Sequence, residues 1–187
     1  MQKAGLASLA FFYCDFRENQ KKDLRGLLSS LLVQLCHQSD SYSDILFKFY
    51  SEHAEDSRHP SDDELARCLT DLLKLPGHAP VYVIVDALDE CINTSAVRSP
   101  RAKVLNLIEE LIKSQIPNLR ICVTSRSEID ISNVLHTLTF RSVSLHEEYG
   151  QSVDMTEYIE SVVRNKKWKA DDRQLVIDVL SQGSRGG

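Results

Sequence analysis

Residues 80–91 read PVYVIVDALDEC, and their core, Val81 to Val85, is five consecutive apolar or aromatic residues that stop at a carboxylate. Four of the five are β-branched. A helix would space its apolar residues by three and four, and a half-exposed strand would alternate. An unbroken run of this length therefore fits a central parallel strand buried on both faces. Its last residue, Asp86, then lies where open parallel sheets gather their ligands, outside the carboxyl ends of the strands.

The flanking sequence supplies partners for such a strand. Leu6 to Phe16 is short, apolar and aromatic, and reads as a first strand. Asp23 precedes Leu24, Leu27, Leu28, Leu31, Leu32 and Leu35, a helical stripe behind an N-cap. Ile45, Leu46, Phe49 and Tyr50 mark a second amphipathic helix, and Pro60-Ser61 a break and a new cap. A third helix carries Leu65, Cys68, Leu69, Leu72 and Leu73 and stops at Pro76-Gly77. After a polar loop holding Ser99-Pro100, a helix through Val104, Leu105, Ile108, Leu111 and Ile112 ends before Pro117. Leu119 to Val123 is then another buried strand, closed by Thr124-Ser125-Arg126. A short helix near Ile129 to Leu135, a strand over Leu138 to Leu145, and helices around Met155 to Val163 and Leu175 to Leu180 complete the series. This alternation predicts an α/β domain with a mostly parallel sheet flanked by helices.

At 187 residues with 42% hydrophobic content, one domain with a real core is expected. It covers residues 1–182 and leaves 183–187 as a flexible Gly/Ser tail, with both ends looking cut from something longer. The net charge of −5 argues against nucleic acid and anionic membranes, which a basic surface would hold. No apolar run reaches the roughly 18 to 20 residues of a membrane helix, so a cytoplasmic protein is expected. The five cysteines, at 14, 36, 68, 91 and 122, have neither C-x-x-C nor metal-ligand spacing and read as reduced thiols that pack as small apolar residues. The six histidines suggest no dyad, Lys166-Lys167-Trp168-Lys169 reads as a solvated turn, and Arg98, Arg101 and Lys103 read as loop charges.

Chemistry is concentrated at two strand ends. A carboxylate at Asp86, fixed by a rigid strand, can orient a magnesium-bound water beside a triphosphate. Asp89 and Glu90 follow closely enough to polarise an attacking water or to complete the metal shell. Ser125 and Arg126 close the neighbouring strand, and the forked donors of Arg126 suit a terminal phosphate. An acidic turn can equally cap a helix or stay solvated, and a phosphohydrolase holding one or two metal ions on Asp86, Asp89 and Glu90 is a further reading.

Taken together, LAFFYCDF, KKDLRGLLSSLLVQLC, PVYVIVDALDEC, RICVTSR and SVSLHEEYGQSVDMTEYIESVV resemble the NACHT NTPases of the signal-transducing STAND class of P-loop ATPases. The resemblance is particularly to the fungal set with a nephrocystin-like nucleotide-binding region, and it covers nearly the whole chain. It implies that VYVIVDALDE is the Walker B segment and TSR the sensor-1 strand end. Asp86 would then hold Mg2+, Asp89 and Glu90 would take the acidic catalytic positions, and Arg126 with Ser125 would face the ATP. It also implies a regulatory switch that works through protein partners or self-association. The sequence departs from that family in one respect. Its seven glycines, at 5, 26, 77, 150, 183, 186 and 187, form no G-x-x-x-x-G-K-[ST] loop. Without that cradle of amides and its lysine, weak or no ATP binding is expected. The strand that bears the loop in the family, between those matching RICVTSR and LTFRSVSL, is missing too, which predicts unpaired backbone groups costing on the order of 1 to 3 kcal/mol each if buried. A non-catalytic interaction or scaffold module with a degenerate site is the alternative.

Overall fold

A computed structural model describes residues 6–55, 58–77, 79–94, 99–138, 141–144 and 149–183. The chain divides into two compact units, Met1–Thr139 and Phe140–Gly187.

The first unit contains strands β1 (Ser8–Tyr13), β2 (Val81–Asp86) and β3 (Leu119–Val123), with helices α1 (Leu24–Cys36), α2 (Asp40–Glu55), α3 (Asp62–Leu73), α4 (Pro100–Lys113) and α5 (Ile129–Leu138). The strands form a parallel sheet in the order β1-β2-β3. Ser8 pairs with Val81 and Tyr13 with Asp86, while Val81 pairs with Leu119 and Val85 with Val123. The expected α/β architecture is present, an arrangement consistent with part of a P-loop-like fold.

Local chemistry sets the helix limits. The Asp23 carboxylate accepts from the Gly26 N–H at 3.0 Å and starts α1. Ser61 and Glu64 form a reciprocal capping box at α3, and Ser99 caps α4 with Pro100 in its first turn. Gly77, at φ +78°, makes the turn after α3 that a side chain would resist. A Cβ on Gly26 would lie 1.9 Å from the Gln20 carbonyl oxygen, so the loop before α1 can lie against it only because this residue is glycine.

Ala10, Phe12, Val81, Val83 and Val85 share one hydrophobic cluster with the leucine stripes of α1 and α3 and with Val104, Leu105 and Ile108 of α4. The other face is different. Phe11, Tyr13, Tyr82, Arg120 and Cys122 are exposed there, so β2 is buried on one face and not on the two that its apolar run predicted. No helix among the described residues of this unit covers that second face, and β3 is likewise only half buried. Gln34 of α1 and Gln38, in the turn just beyond its end, run along the outer margin of β1 and bond to the backbone of Phe11 and Leu9. β3 has no strand on its far side among the described residues.

The strand expected over Leu138 to Leu145 is not found. Ile131, Val134, Leu135 and Leu138 recur at helical spacing, which carries α5 through Leu138, and 141–144 have no regular structure. Thr139, Phe140 and Leu145 lie outside the described residues.

In the second unit, α6 (Tyr149–Arg164) packs with α7 (Ala170–Gly183). Lys166 to Lys169 form the exposed turn between them. Gly183 closes α7, and 184–187 lie outside the described residues. Among the described residues, no helix is long and apolar enough to cross a membrane.

Candidate functional site at the strand ends

The three parallel strands deliver their carboxyl ends side by side, and the acids follow the middle one. After Asp86 the backbone turns sharply at Ala87, which sits in the left-handed region at φ 54° and ψ 49°. That conformation disfavours a side chain by about 1 to 2 kcal/mol. It leads into a single 3-10 turn, Leu88–Glu90, carrying Asp89 and Glu90.

Thr124, just past β3, holds this turn. Its hydroxyl donates to Asp86 Oδ1 and accepts from the Ala87 N–H at 3.0 Å, while its carbonyl accepts from the Leu88 N–H at 2.9 Å. Asp86 Oδ2 has no partner among the described residues, which leaves an oxygen for a ligand. Asp89 is committed differently. Its Oδ1 accepts from the Arg126 N–H at 3.0 Å, and its Oδ2 lies 3.6 Å from Arg126 Nε. The Asp89 side chain is 11% exposed and that of Arg126 86%, so the pair anchors one carboxylate while its guanidinium stays in solvent. Glu90 is half buried and Ser125 exposed. The five residues singled out by sequence thus gather at adjacent strand ends.

Two further features were not legible from spacing. Arg101, expected as a loop charge, is a buried residue of α4. Its guanidinium donates to the carbonyls of Asp89 and, at 3.1 Å, Cys91, and reaches both Asp130 oxygens at 3.3 Å. It ties the acidic turn to the start of α5. Lys103 is also helical, and Arg98 lies outside the described residues. After β1, Asp15 accepts from Arg17 through side chain and backbone, and those bonds hold its carboxyl down at about 2. Arg17 holds its proton more firmly through Asp15 first and also feels the charge of Glu90, so cations follow both outer strands.

Among the described residues, no three His, Cys, Asp or Glu side chains gather to hold a metal ion. Magnesium needs fewer, since one carboxylate, waters and phosphate oxygens complete its shell, and Asp86 fits that role. Hollows of about 410 and 460 Å³ open on α3 and α4 and on α2 and α3, and the strand ends line neither. The site is a surface ledge.

No curated protein and no solved structure matches the chain. Residues 1–126 match the family described as Nephrocystin 3, N-terminal, a stretch that takes in all three strands, the acidic turn and Arg126. By that match over two-thirds of its length, the chain belongs to the nephrocystin 3 N-terminal family.

Proposed function

We propose that the chain is the magnesium-side part of a NACHT-type regulatory ATPase, a switch in which bound nucleotide selects one of two arrangements. The observation carrying this reading is the strand-end carboxylate of Asp86, steadied by Thr124 on the adjacent strand with one oxygen left over. In this role Asp86 holds Mg2+ through waters, Arg126 and Ser125 face the terminal phosphate of ATP, and Glu90 polarises the attacking water. Asp89 serves first to position Arg126. Because the sequence contains no phosphate loop, the chain by itself neither holds nor hydrolyses ATP to a useful degree.

Calorimetric titration of the purified chain with ATP and magnesium tests this. Binding weaker than millimolar is expected, rising to micromolar when a strand and G-x-x-x-x-G-K-T loop are joined to its amino terminus, and lost again with Asp86→Ala. Micromolar binding by the chain alone that vanishes in Asp86→Ala would show a working cradle elsewhere and overturn the incomplete-site reading.

A second reading is favoured by the open sheet face, where Phe11, Tyr13 and Tyr82 are 42%, 55% and 43% exposed. Three aromatic residues on one face suit protein contact, and they support a non-catalytic interaction module acting through protein partners or self-association. No nucleotide binding by the loop-bearing version would favour it.

A further inference from the structure

Cys14 lies one residue beyond β1 and Cys91 one residue beyond the acidic turn, separated by 77 positions in sequence. In the fold their sulfurs are 3.2 Å apart. Both residues are buried, at 4% and 1% exposure. The backbone fixes each of them. The Cys14 N–H donates to the Asp86 carbonyl at 3.0 Å, the Cys91 N–H to that of Leu88 at 3.1 Å, and the Cys91 carbonyl accepts from Arg101. A disulfide places its sulfurs at about 2.05 Å, so closing this pair needs little more than an ångström of movement. The other cysteines are not so placed. Cys36 Sγ lies 3.3 Å from the Tyr42 carbonyl, Cys68 is a buried residue of α3, and Cys122 is exposed on the open sheet face.

We propose that Cys14 and Cys91 form an oxidation site, a buried dithiol that hydrogen peroxide closes to an intramolecular disulfide. Peroxide is small enough to reach a pair that bulkier disulfide reagents would meet only after local opening. The thiolate of one cysteine, written here as Cys91, attacks a peroxide oxygen. The O–O bond breaks, a sulfenic acid forms on Cys91, and hydroxide leaves as water after taking a proton. The Cys14 sulfur then attacks the Cys91 sulfur, the S–S bond forms, the S–O bond breaks, and the second hydroxide departs as water with the Cys14 proton. Two thiols give up two electrons, one peroxide accepts them, and two waters result.

The product joins the end of β1 to the segment leaving the middle strand, and so fixes the acidic turn to the sheet from the side opposite Thr124. It also closes a loop long enough to restrict the unfolded chain strongly. A higher unfolding temperature and a more rigid acidic turn follow.

The test uses the chain carrying Cys122→Ser, which removes the exposed thiol without touching the core. The protein is treated with hydrogen peroxide, unfolded, and alkylated without reduction. The expected result is an intact mass showing two alkylated cysteines and the loss of two hydrogens, with digestion yielding a peptide pair that links Cys14 to Cys91. Dithiothreitol restores four alkylated thiols, and the oxidised form melts on the order of 10 °C above the reduced one. Four alkylated cysteines after peroxide, a different disulfide, or stable addition of oxygen to Cys14 or Cys91 would each overturn the proposal. Cys14→Ser should give no loss of two hydrogens, and if that variant fails to fold, the peptide map of the Cys122→Ser chain decides alone.

Discussion

The side-chain amide of Gln34 brackets the backbone of Phe11, its Oε1 accepting from the Phe11 N–H at 3.0 Å and its Nε2 donating to the Phe11 carbonyl at 2.7 Å. Gln38 does the same for Leu9 at 2.9 and 2.7 Å. The match is geometric. Gln34 lies in the last turn of α1 and Gln38 in the turn just beyond it, and these two glutamines, four residues apart, meet strand residues two apart, Phe11 and Leu9. The end of α1 and the turn after it thus supply hydrogen bonds that another strand would have made, and close an edge that would otherwise invite association.

Replacing Gln34 with Leu should strip both bonds from Phe11 and cost about 1 to 2 kcal/mol. Native-state hydrogen exchange should show the Phe11 amide losing protection while Leu9, held by Gln38, keeps most of its own. Equal loss at both residues would mean that the helix moved as a whole.

Arg101→Met should destabilise the first unit by about 2 to 4 kcal/mol, because it leaves the Asp89 and Cys91 carbonyls and the Asp130 carboxylate short of their donor. Arg101→Lys should recover little, since a single ammonium cannot serve three acceptors held in a fork. Urea midpoints of the three proteins check this.

At Ala87 the prediction runs against the usual effect of glycine. Relief of the left-handed strain offsets the extra freedom of the unfolded chain, so Ala87→Gly should leave stability unchanged or raise it by up to about 1 kcal/mol. Ala87→Val places a branched side chain at the same φ and should cost more than about 2 kcal/mol. Thermal melts of both variants give the comparison.

The capping box before α3 makes stability depend on pH. Arg58 first, then the backbone and hydroxyl of Ser61, hold the Glu64 carboxyl well below its ordinary value of 4.5. Its folded pKa is depressed, so its contribution is present in full above the unfolded value and is lost as pH falls through the folded one. The melting temperature of the native chain should therefore exceed that of Glu64→Gln at neutral pH, and the margin should shrink steadily below about pH 4.5. A margin unchanged at pH 3 would refute the assignment.

Periodicity made most of the first unit legible. Leucines at spacings of three and four located α1 and α3, Asp23 and Ser61 located their starts, and the run from Val81 located β2. The same run misled about burial, because a sequence of apolar residues records what a strand tolerates and not how many faces have a neighbour. Leu138 belongs to α5 and not to the expected strand for a related reason: it continues the stripe of Ile131 and Leu135, a helical signal weaker in the sequence than the apolar residues that follow it. The acids and Arg126 were readable as strand ends. The roles of Arg101 and of the Cys14–Cys91 pair were not, since each depends on residues brought together from distant parts of the chain.

The far side of β3 gives the sheet a direction of growth. A strand grafted beside Leu119–Val123 would extend the ladder at an edge that no strand among the described residues occupies, whereas one added beside β1 would first have to displace the end of α1 with Gln34 and Gln38. For anyone enlarging this domain by design, one margin carries no further strand among the described residues and the other is walled.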